Sequence, residues 1–364
     1  MVYESVTFEQ SLKFYVEQGA GVDFLARPST IAHAFGAKKL LEIGPGYGFG
    51  IDFAEKALGM NAVGIDPSMI ANVGSKQLGI EIISEYLKAE SAAKYGLQDA
   101  IFAMEVIEHF ANARPFLEIV RANLAPNGLF VLSTPNSLAL EDASQTLLLS
   151  LLTPGYHAVL FSPDGLKAIL EEVGFKHVRV EAGKDSLFAL ASDDPEKIAS
   201  DRHTDPEVYA NYTAKRMQDI GETNNPLWSG FAYRHFKTII NADEKERGWA
   251  FFKALTEEYK RRFDFDLADP TAVAARLQAE FGDIDGSDNR SVWAQDVPFH
   301  IGNMFYFAGI LHLNSIGTEE AEPYLHATVL INDLYLRFHN SRYYNDLETQ
   351  HLKELAEKLL LDRY

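Results

Sequence analysis

The sequence predicts an α/β fold: a mainly parallel sheet with helices on both faces, followed by a region built of helices alone. Three observations carry this. From Lys38 to about Ala191, short apolar runs alternate with stretches of helical periodicity, the pattern of βαβ units. From about Asp193 onward strand signals stop and helical patterns take over. A glycine-rich turn joins the first strand of the alternating part to its first helix.

Taken in order, residues 1–37 read as a helical segment. Strands are expected at 38–44, 61–66, 80–86, 99–106, 128–135, 177–182 and 186–192, with helices at 51–58, 113–124 and 162–175 between them. Right-handed crossovers place the carboxyl ends of such strands on one edge, where ligands bind. Pro126-Asn127-Gly128 and Gly174 read as helix stops. These elements define a domain over 38–192. The polar stretch 193–205, with two prolines, reads as a linker. Seven helices are expected in the domain 206–364: Glu207–Ile220, Leu227–Ile240, Glu244–Phe263, Thr271–Phe281, Phe299–Asn314, Ala321–Phe338 and Leu347–Leu361. Gly309 and Ala321 stand twelve apart, as in a tetratricopeptide repeat, but neighbouring segments do not repeat the spacing and no array is expected.

Composition narrows the functions. The 364 residues carry 33 Lys and Arg against 52 Asp and Glu, a net charge of −19. That excludes a general nucleic-acid binder, which needs clustered cations for phosphate, and argues against an anionic membrane surface as partner. The absence of cysteine excludes disulfides, thiolate metal sites and Cys nucleophiles. No basic N-terminal region precedes an apolar stretch, and no run of about 18 apolar residues occurs. A cytoplasmic protein is expected, with a small-molecule or glycan substrate and homodimerisation among its options.

The sharpest motif is Leu41-Glu42-Ile43-Gly44-Pro45-Gly46-Tyr47-Gly48-Phe49-Gly50. An acid ends a strand, glycines alternate, and a helix starts. Glycines permit a tight turn and close approach of backbone to ligand, and the helix start offers free N–H groups. A dinucleotide fingerprint requires G-x-G-x-x-G. Its third glycine would fall on Phe49, Ile51 or Phe53 in the three registers, so all fail. The pattern E/D-x-G-x-G-x-G fits at Glu42, Gly44, Gly46 and Gly48. Here the chain resembles the class I S-adenosylmethionine-dependent methyltransferases, over roughly Lys38 to Ala191.

The resemblance implies a Rossmann-like seven-stranded methyltransferase sheet and S-adenosylmethionine as cofactor. It assigns Glu42, Gly44, Gly46, Tyr47 and Gly48 to the cofactor loop. Asp66 ends the next strand, 20 residues after Gly46, and is assigned to the ribose hydroxyls through charge-assisted hydrogen bonds; a helix N-cap or turn aspartate is the plainer alternative. Pro67, Ser68 and Met69 follow as cofactor neighbours, Met69 as an apolar wall for adenine. Glu85 and Tyr86 are further candidates beside adenine. Glu105 ends the fourth strand, where family members place the methionine part of the cofactor and the reacting methyl.

Glu105, Glu108 and His109, with His157 further on, look like E-x-x-E-H followed about fifty residues later by a histidine. The small-RNA 2′-O-methyltransferases and the ubiquinone-pathway O-methyltransferases have that look. In the RNA enzymes the four side chains hold a divalent cation. Two carboxylates and two imidazoles suit Mg²⁺, Mn²⁺ or Zn²⁺, and a bound cation acidifies a hydroxyl. The alternatives are a metal-free base at His109 or His157, assisted by Glu108, and packing roles only. Ser137–Leu160 is longer than an ordinary connection and reads as a lid or substrate wall.

Methyl transfer is an in-line displacement that needs positioning, and a hydroxyl acceptor also needs a base or metal. The acid–histidine set therefore points to an O-methyltransferase. A sugar, glycan or small polar metabolite is the first expectation for the acceptor, and a quinone- or lipid-type phenol the second. A methyltransferase-like interaction platform without catalysis is the alternative of another class. Residues 305–313 read as helix core rather than a cofactor box, and Lys260-Arg261-Arg262 as a solvated helix end; Arg342-Tyr343-Tyr344 and the aromatics near Trp228 and Trp293 read as core or domain-interface packing, with a carbohydrate site as the alternative.

Overall fold

The computed structural model describes residues 12, 13, 15–17, 23–141, 151–153, 156–199, 201–221, 225–283, 293, 297–339 and 346–361. The chain forms two compact units. One is Asp23–Asp205; the other joins Met1–Val22 to Pro206–Tyr364. The segment expected over 1–37 is therefore shared between the units, and the stretch expected as a linker, 193–205, belongs to the first.

The Asp23–Asp205 unit begins with α1 (Asp23–Ala34). Then come β1 (Lys39–Ile43), α2 (Phe49–Lys56), β2 (Asn61–Ile65), α3 (Met69–Leu78), β3 (Ile82–Ile83), α4 (Ser91–Tyr95), β4 (Gln98–Met104), α5 (Ala113–Asn123), β5 (Leu124–Pro135), α6 (Pro163–Glu172), β6 (His177–Ala182), β7 (Ser186–Ser192) and α7 (Pro195–Ile198). The strand order is β3-β2-β1-β4-β5-β7-β6, a seven-stranded sheet. β1 to β5 pair in parallel, and β7 is antiparallel to both β5 and β6. The central strands are near-continuous apolar runs because both faces are covered; Ile101, Phe130 and Leu132 are fully buried.

Two expectations need correcting. β3 spans two residues rather than the whole of 80–86; it is an edge strand, and Glu85 beyond it turns to Lys94 and Tyr95. Pro126-Asn127-Gly128 lies inside β5, at the end where the β4–β5 register shifts, with Asn127 at φ 57°. Nor do the prolines of 193–205 mark only a tether. Asp194 caps α7 by accepting from the Glu196 N–H, and Pro195 takes the first helical position, where its missing N–H costs nothing.

The second unit has α8 (Pro206–Ile220), α9 (Pro226–Asn241), α10 (Lys245–Phe263), α11 (Pro270–Phe281), α12 (Ile301–Ser315), α13 (Thr318–His339) and α14 (Leu347–Leu361). Every expected boundary lies within three residues of these. Three helices start one residue early, each on a proline that pre-sets the helical φ. Trp228, Trp293, Phe305, Phe307 and Leu311 belong to the aromatic core, as expected. Arg262 differs from the solvated end expected of it: its side chain is 3% exposed, its guanidinium lies 4.1 Å from the Trp228 ring, and it donates to the Gly221 carbonyl. Arg342-Tyr343-Tyr344 lie outside the described residues. Among the described residues no helix is long and apolar enough to cross a membrane.

Candidate active site

The loop between β1 and α2 is left-handed at all three alternating glycines: φ is 66° at Gly44, 56° at Gly46 and 96° at Gly48. Side chains other than glycine rarely hold that conformation. At Gly44 a Cβ would also stand 2.8 Å from Val106 Cγ2, against the segment after β4. Asp66, just past β2, ties the loop down. One carboxylate oxygen accepts from Gly46 N–H at 3.1 Å and the other from Ser68 N–H at 2.7 Å. Each oxygen keeps a lone pair for a further donor, so the residue fits the ribose role assigned to it. The N-cap of α3 is Ser68, which accepts from Ala71 N–H, so Asp66 is not the cap.

Tyr47 departs from the expectation. Its side chain is fully buried, stacks on Phe49 at 5.0 Å and donates to Gln77 of α3; only its backbone is left to a cofactor. Pro67, Ser68 and Met69 are exposed, Met69 by 61%. Tyr86 is 74% exposed, and Glu85 is occupied by Tyr95 and Lys94. Gly74 escaped the sequence reading. A Cβ there would meet the Tyr47 carbonyl at 1.9 Å, so α3 seats against the loop only through a glycine; a lone glycine inside a helical pattern was the available signal.

Glu42 lies beneath the loop, 3% exposed, with Oε2 lacking a partner. Gly50 makes room for it: a Cβ there would stand 2.7 Å from Oε2. Burial, reinforced by the nearby Asp66, pushes the Glu42 carboxyl up to about 7.

Beyond β4, Glu105 takes a left-handed backbone (φ 55°), opens to solvent and accepts from Ser133 Oγ at 2.7 Å. Partial desolvation by the protein around it raises its carboxyl, with Ser133 working against and Glu108 with the rise. Glu108 is fully buried on a 3₁₀ turn; Oε2 accepts from Thr134 Oγ1 at 3.0 Å and Oε1 has no partner. Burial raises this carboxyl too, against the pull of its own backbone N–H, Thr134 and His109.

The strap after Thr153 brings His157 to His109, with ring centroids 5.2 Å apart. Ala158 and Val159 donate their N–H groups to the Glu108 carbonyl at 2.8 and 3.2 Å. His109 Nδ1 lies 3.0 Å from the Tyr156 carbonyl, and His157 Nδ1 2.6 Å from the Leu151 carbonyl. A carbonyl only accepts, so each Nδ1 donates its N–H, and in the neutral ring each Nε2 offers a lone pair. His109 Nε2 stands 3.9 Å from Glu108 Oε1. Ligand atoms of Glu108, His109 and His157 all lie within 4.8 Å of one another. Glu105 is outside that group. The expected four-residue set is thus three residues, with Glu105 turned to Ser133 instead.

A seven-stranded sheet of this order, with a glycine loop and an acid after β2 at its carboxyl edge, defines a Rossmann-like methyltransferase domain. Residues 19–180 match a family described as "Methyltransferase domain". A "Ubiquinone biosynthesis O-methyltransferase" of Ruegeria sp. (strain TM1040) is 31% identical over 155 residues, 40% of this chain and 62% of the relative. One of Caulobacter sp. (strain K31) is 32% identical over 151 residues, 37% and 58% of the two chains. The match thus spans less than two thirds of the relatives' length. A SAM dependent methyltransferase from Archaeoglobus fulgidus is 16% identical with a TM-score of 0.35, covering 43% of this chain and 86% of that one. Over the Asp23–Asp205 unit the chain is similar to S-adenosylmethionine-dependent methyltransferases, and S-adenosylmethionine is the cofactor that its loop and Asp66 fit.

Proposed function

We propose that the protein is a methyltransferase enzyme that methylates a hydroxyl oxygen. The observation that carries this is the Glu108–His109–His157 group: a buried carboxylate oxygen without a partner faces two imidazoles whose carbonyl bonds keep Nε2 free. The relatives' printed name, an O-methyltransferase of ubiquinone biosynthesis, supports the same chemistry and favours the phenol over the sugar among the expected acceptors.

S-adenosylmethionine, held by the Gly44–Gly48 backbone and Asp66, supplies a methyl made electrophilic by its sulfonium. A hydroxyl is a weak nucleophile until its proton is drawn away. His109 Nε2 has the free lone pair to accept that proton, and Glu108 Oε1 beside it stabilises the imidazolium formed. The same three side chains fit a divalent cation: the orphaned Glu108 oxygen has no hydrogen-bond donor, and both histidines donate Nδ1–H to carbonyls, the outer-shell bond that orients metal-ligating imidazoles. Such a cation would lower the hydroxyl's pKa. It would take three protein ligands rather than four, with Glu105 left to the cleft.

The test is transfer of labelled methyl from S-adenosylmethionine to a catechol, with the protein's metal content measured before and after chelation. Glu108→Gln and His109→Ala are each expected to cut transfer by about 10²- to 10⁴-fold with cofactor affinity kept within about twofold. Unchanged turnover in both variants sinks the base and the metal together. Absence of saturable S-adenosylmethionine binding favours the interaction platform instead.

A further inference from the structure

Between Gly46 and Gly48, both left-handed, Tyr47 is the residue that carries a side chain. Glycine permits the turn but does little to fix it, because its own backbone is the least restricted. Two bonds hold the turn from within: Gly46 N–H to Asp66, and Gly48 N–H to the Pro45 carbonyl at 3.0 Å. Tyr47 holds it from outside. Its fully buried ring stacks on Phe49, the first residue of α2, and its hydroxyl donates to Gln77 in the last turn of α3. One turn earlier, the Tyr47 carbonyl abuts Gly74. Gly74 and Gln77 are three apart and so share a face of α3.

The same helix is fixed at its start. Ser68 N–H donates to Asp66, and Ser68 Oγ accepts from Ala71 N–H at 3.2 Å. At its end Ser75 Oγ donates to the Ile80 carbonyl at 2.7 Å. α3 therefore touches both parts of the cofactor grip: the loop, through Tyr47, and the carboxylate assigned to ribose, through Ser68. Gln77 itself is exposed, so its side chain contributes little to the core. A tyrosine kept for packing alone would serve equally as phenylalanine. The hydroxyl bond adds direction: it fixes where along α3 the tyrosine, and with it the loop backbone, is held.

We propose that Gln77 is a positioning residue for the cofactor: it grips the Tyr47 hydroxyl from α3 and holds the Gly46–Gly48 backbone in its binding shape. Gln77 acts only through Tyr47. When the bond is lost the loop samples other shapes, and apparent affinity falls by the fraction of time spent in them. This rests on S-adenosylmethionine as the cofactor of the loop.

The experiment is calorimetry of the full chain with S-adenosylhomocysteine, well below the melting temperature, where lost stability alone leaves affinity unchanged. Tyr47→Phe and Gln77→Leu are each expected to weaken binding about three- to tenfold, the effect of one hydrogen bond. The two changes together should cost no more than either alone, because they remove the same bond. Gln77→Glu keeps an acceptor oxygen and should stay within about twofold of the unsubstituted protein. Unchanged affinity in both single variants, additive losses in the pair, or equal losses in Gln77→Leu and Gln77→Glu overturns the proposal. Amide exchange over 44–48 in the ligand-free protein separates it from the cofactor reading: exchange should quicken in Gln77→Leu and not in Gln77→Glu. That pattern without saturable binding by the unsubstituted protein keeps the positioning role and removes the cofactor. Saturable binding with no effect of either variant does the reverse.

Discussion

Two pairs of glutamates, one pair in each unit, are treated in opposite ways. In the helical unit Glu17 and Glu348 are saturated. Glu17 accepts from Ser229 Oγ at 2.9 Å and from Phe299 N–H at 2.8 Å. Glu348 accepts from Tyr233, Lys237 and Arg234 at 2.7, 2.8 and 3.1 Å. In the methyltransferase unit Glu42 and Glu108 each keep a buried oxygen without a partner, at the edge where cofactor and acceptor are expected. A saturated carboxylate holds shape. An unsaturated one costs stability and is retained where a ligand completes it.

The largest effect expected from this contrast is in the helical unit. Arg234 is 6% exposed beside Glu348, and Glu348→Ala removes one acceptor from that charge and the acceptor of the Tyr233 hydroxyl. Losing one partner of a mostly buried pair costs about 3 kcal/mol. Hydrogen exchange in α9 and α14 should rise accordingly, with S-adenosylmethionine affinity unchanged. A loss below about 1 kcal/mol would mean that saturation contributes little to holding these helices.

How far the sequence discloses such a contrast depends on what encodes it. The glycine loop and Asp66 are legible because backbone conformation and reach dictate residue type at fixed spacing. The seven helices are legible because each couples a 3.6-residue apolar period to a proline or glycine boundary. Orientation is a different matter. Glu105 carries the same side chain as Glu108, yet a left-handed backbone turns it to Ser133 and out of the histidine group. Tyr47 stands among cofactor residues but is drawn inward by Gln77 and Phe49. The apolar strap spans too few residues for a period, and what it faces is fixed only by its bonds to Glu108 and to the end of β5.

The second expected effect is a pH dependence of opposite sign in the two units. Burial works to raise Glu348, but Arg234 and Lys237 outweigh it and hold the carboxyl well below its ordinary range. Its contribution is therefore present above about pH 4.5 and lost as pH falls. Glu42 runs the other way. Its carboxyl rises from 4.5 to about 7, so its stabilisation is complete below pH 4.5 and is lost as pH climbs through 7. A shift of that size corresponds to about 3 kcal/mol. Without cofactor, Glu42→Gln should stabilise the methyltransferase unit by roughly 2 to 3 kcal/mol at pH 8 and change little at pH 4. Melting curves at the two pH values check this, and an equal change at both would remove the charge of Glu42 as the cause.

The smallest effect sharpens the contrast within the site itself. Thr134 Oγ1 and Ser133 Oγ each donate to a glutamate, at 3.0 and 2.7 Å. The two settings differ: Thr134 and Glu108 are both fully buried, whereas Glu105 opens to solvent. Thr134→Val leaves Glu108 Oε2 without a donor where water has no access, which costs about 1 to 3 kcal/mol. Glu108 is then harder to ionise, and methyl transfer should fall at least about tenfold at pH 7. In Ser133→Ala a water molecule replaces the lost hydroxyl at Glu105, and transfer should fall no more than about threefold. Initial rates with both variants at saturating S-adenosylmethionine separate the outcomes. Equal losses would show that enclosure, the property that sets Glu108 apart from Glu105, does not govern the site.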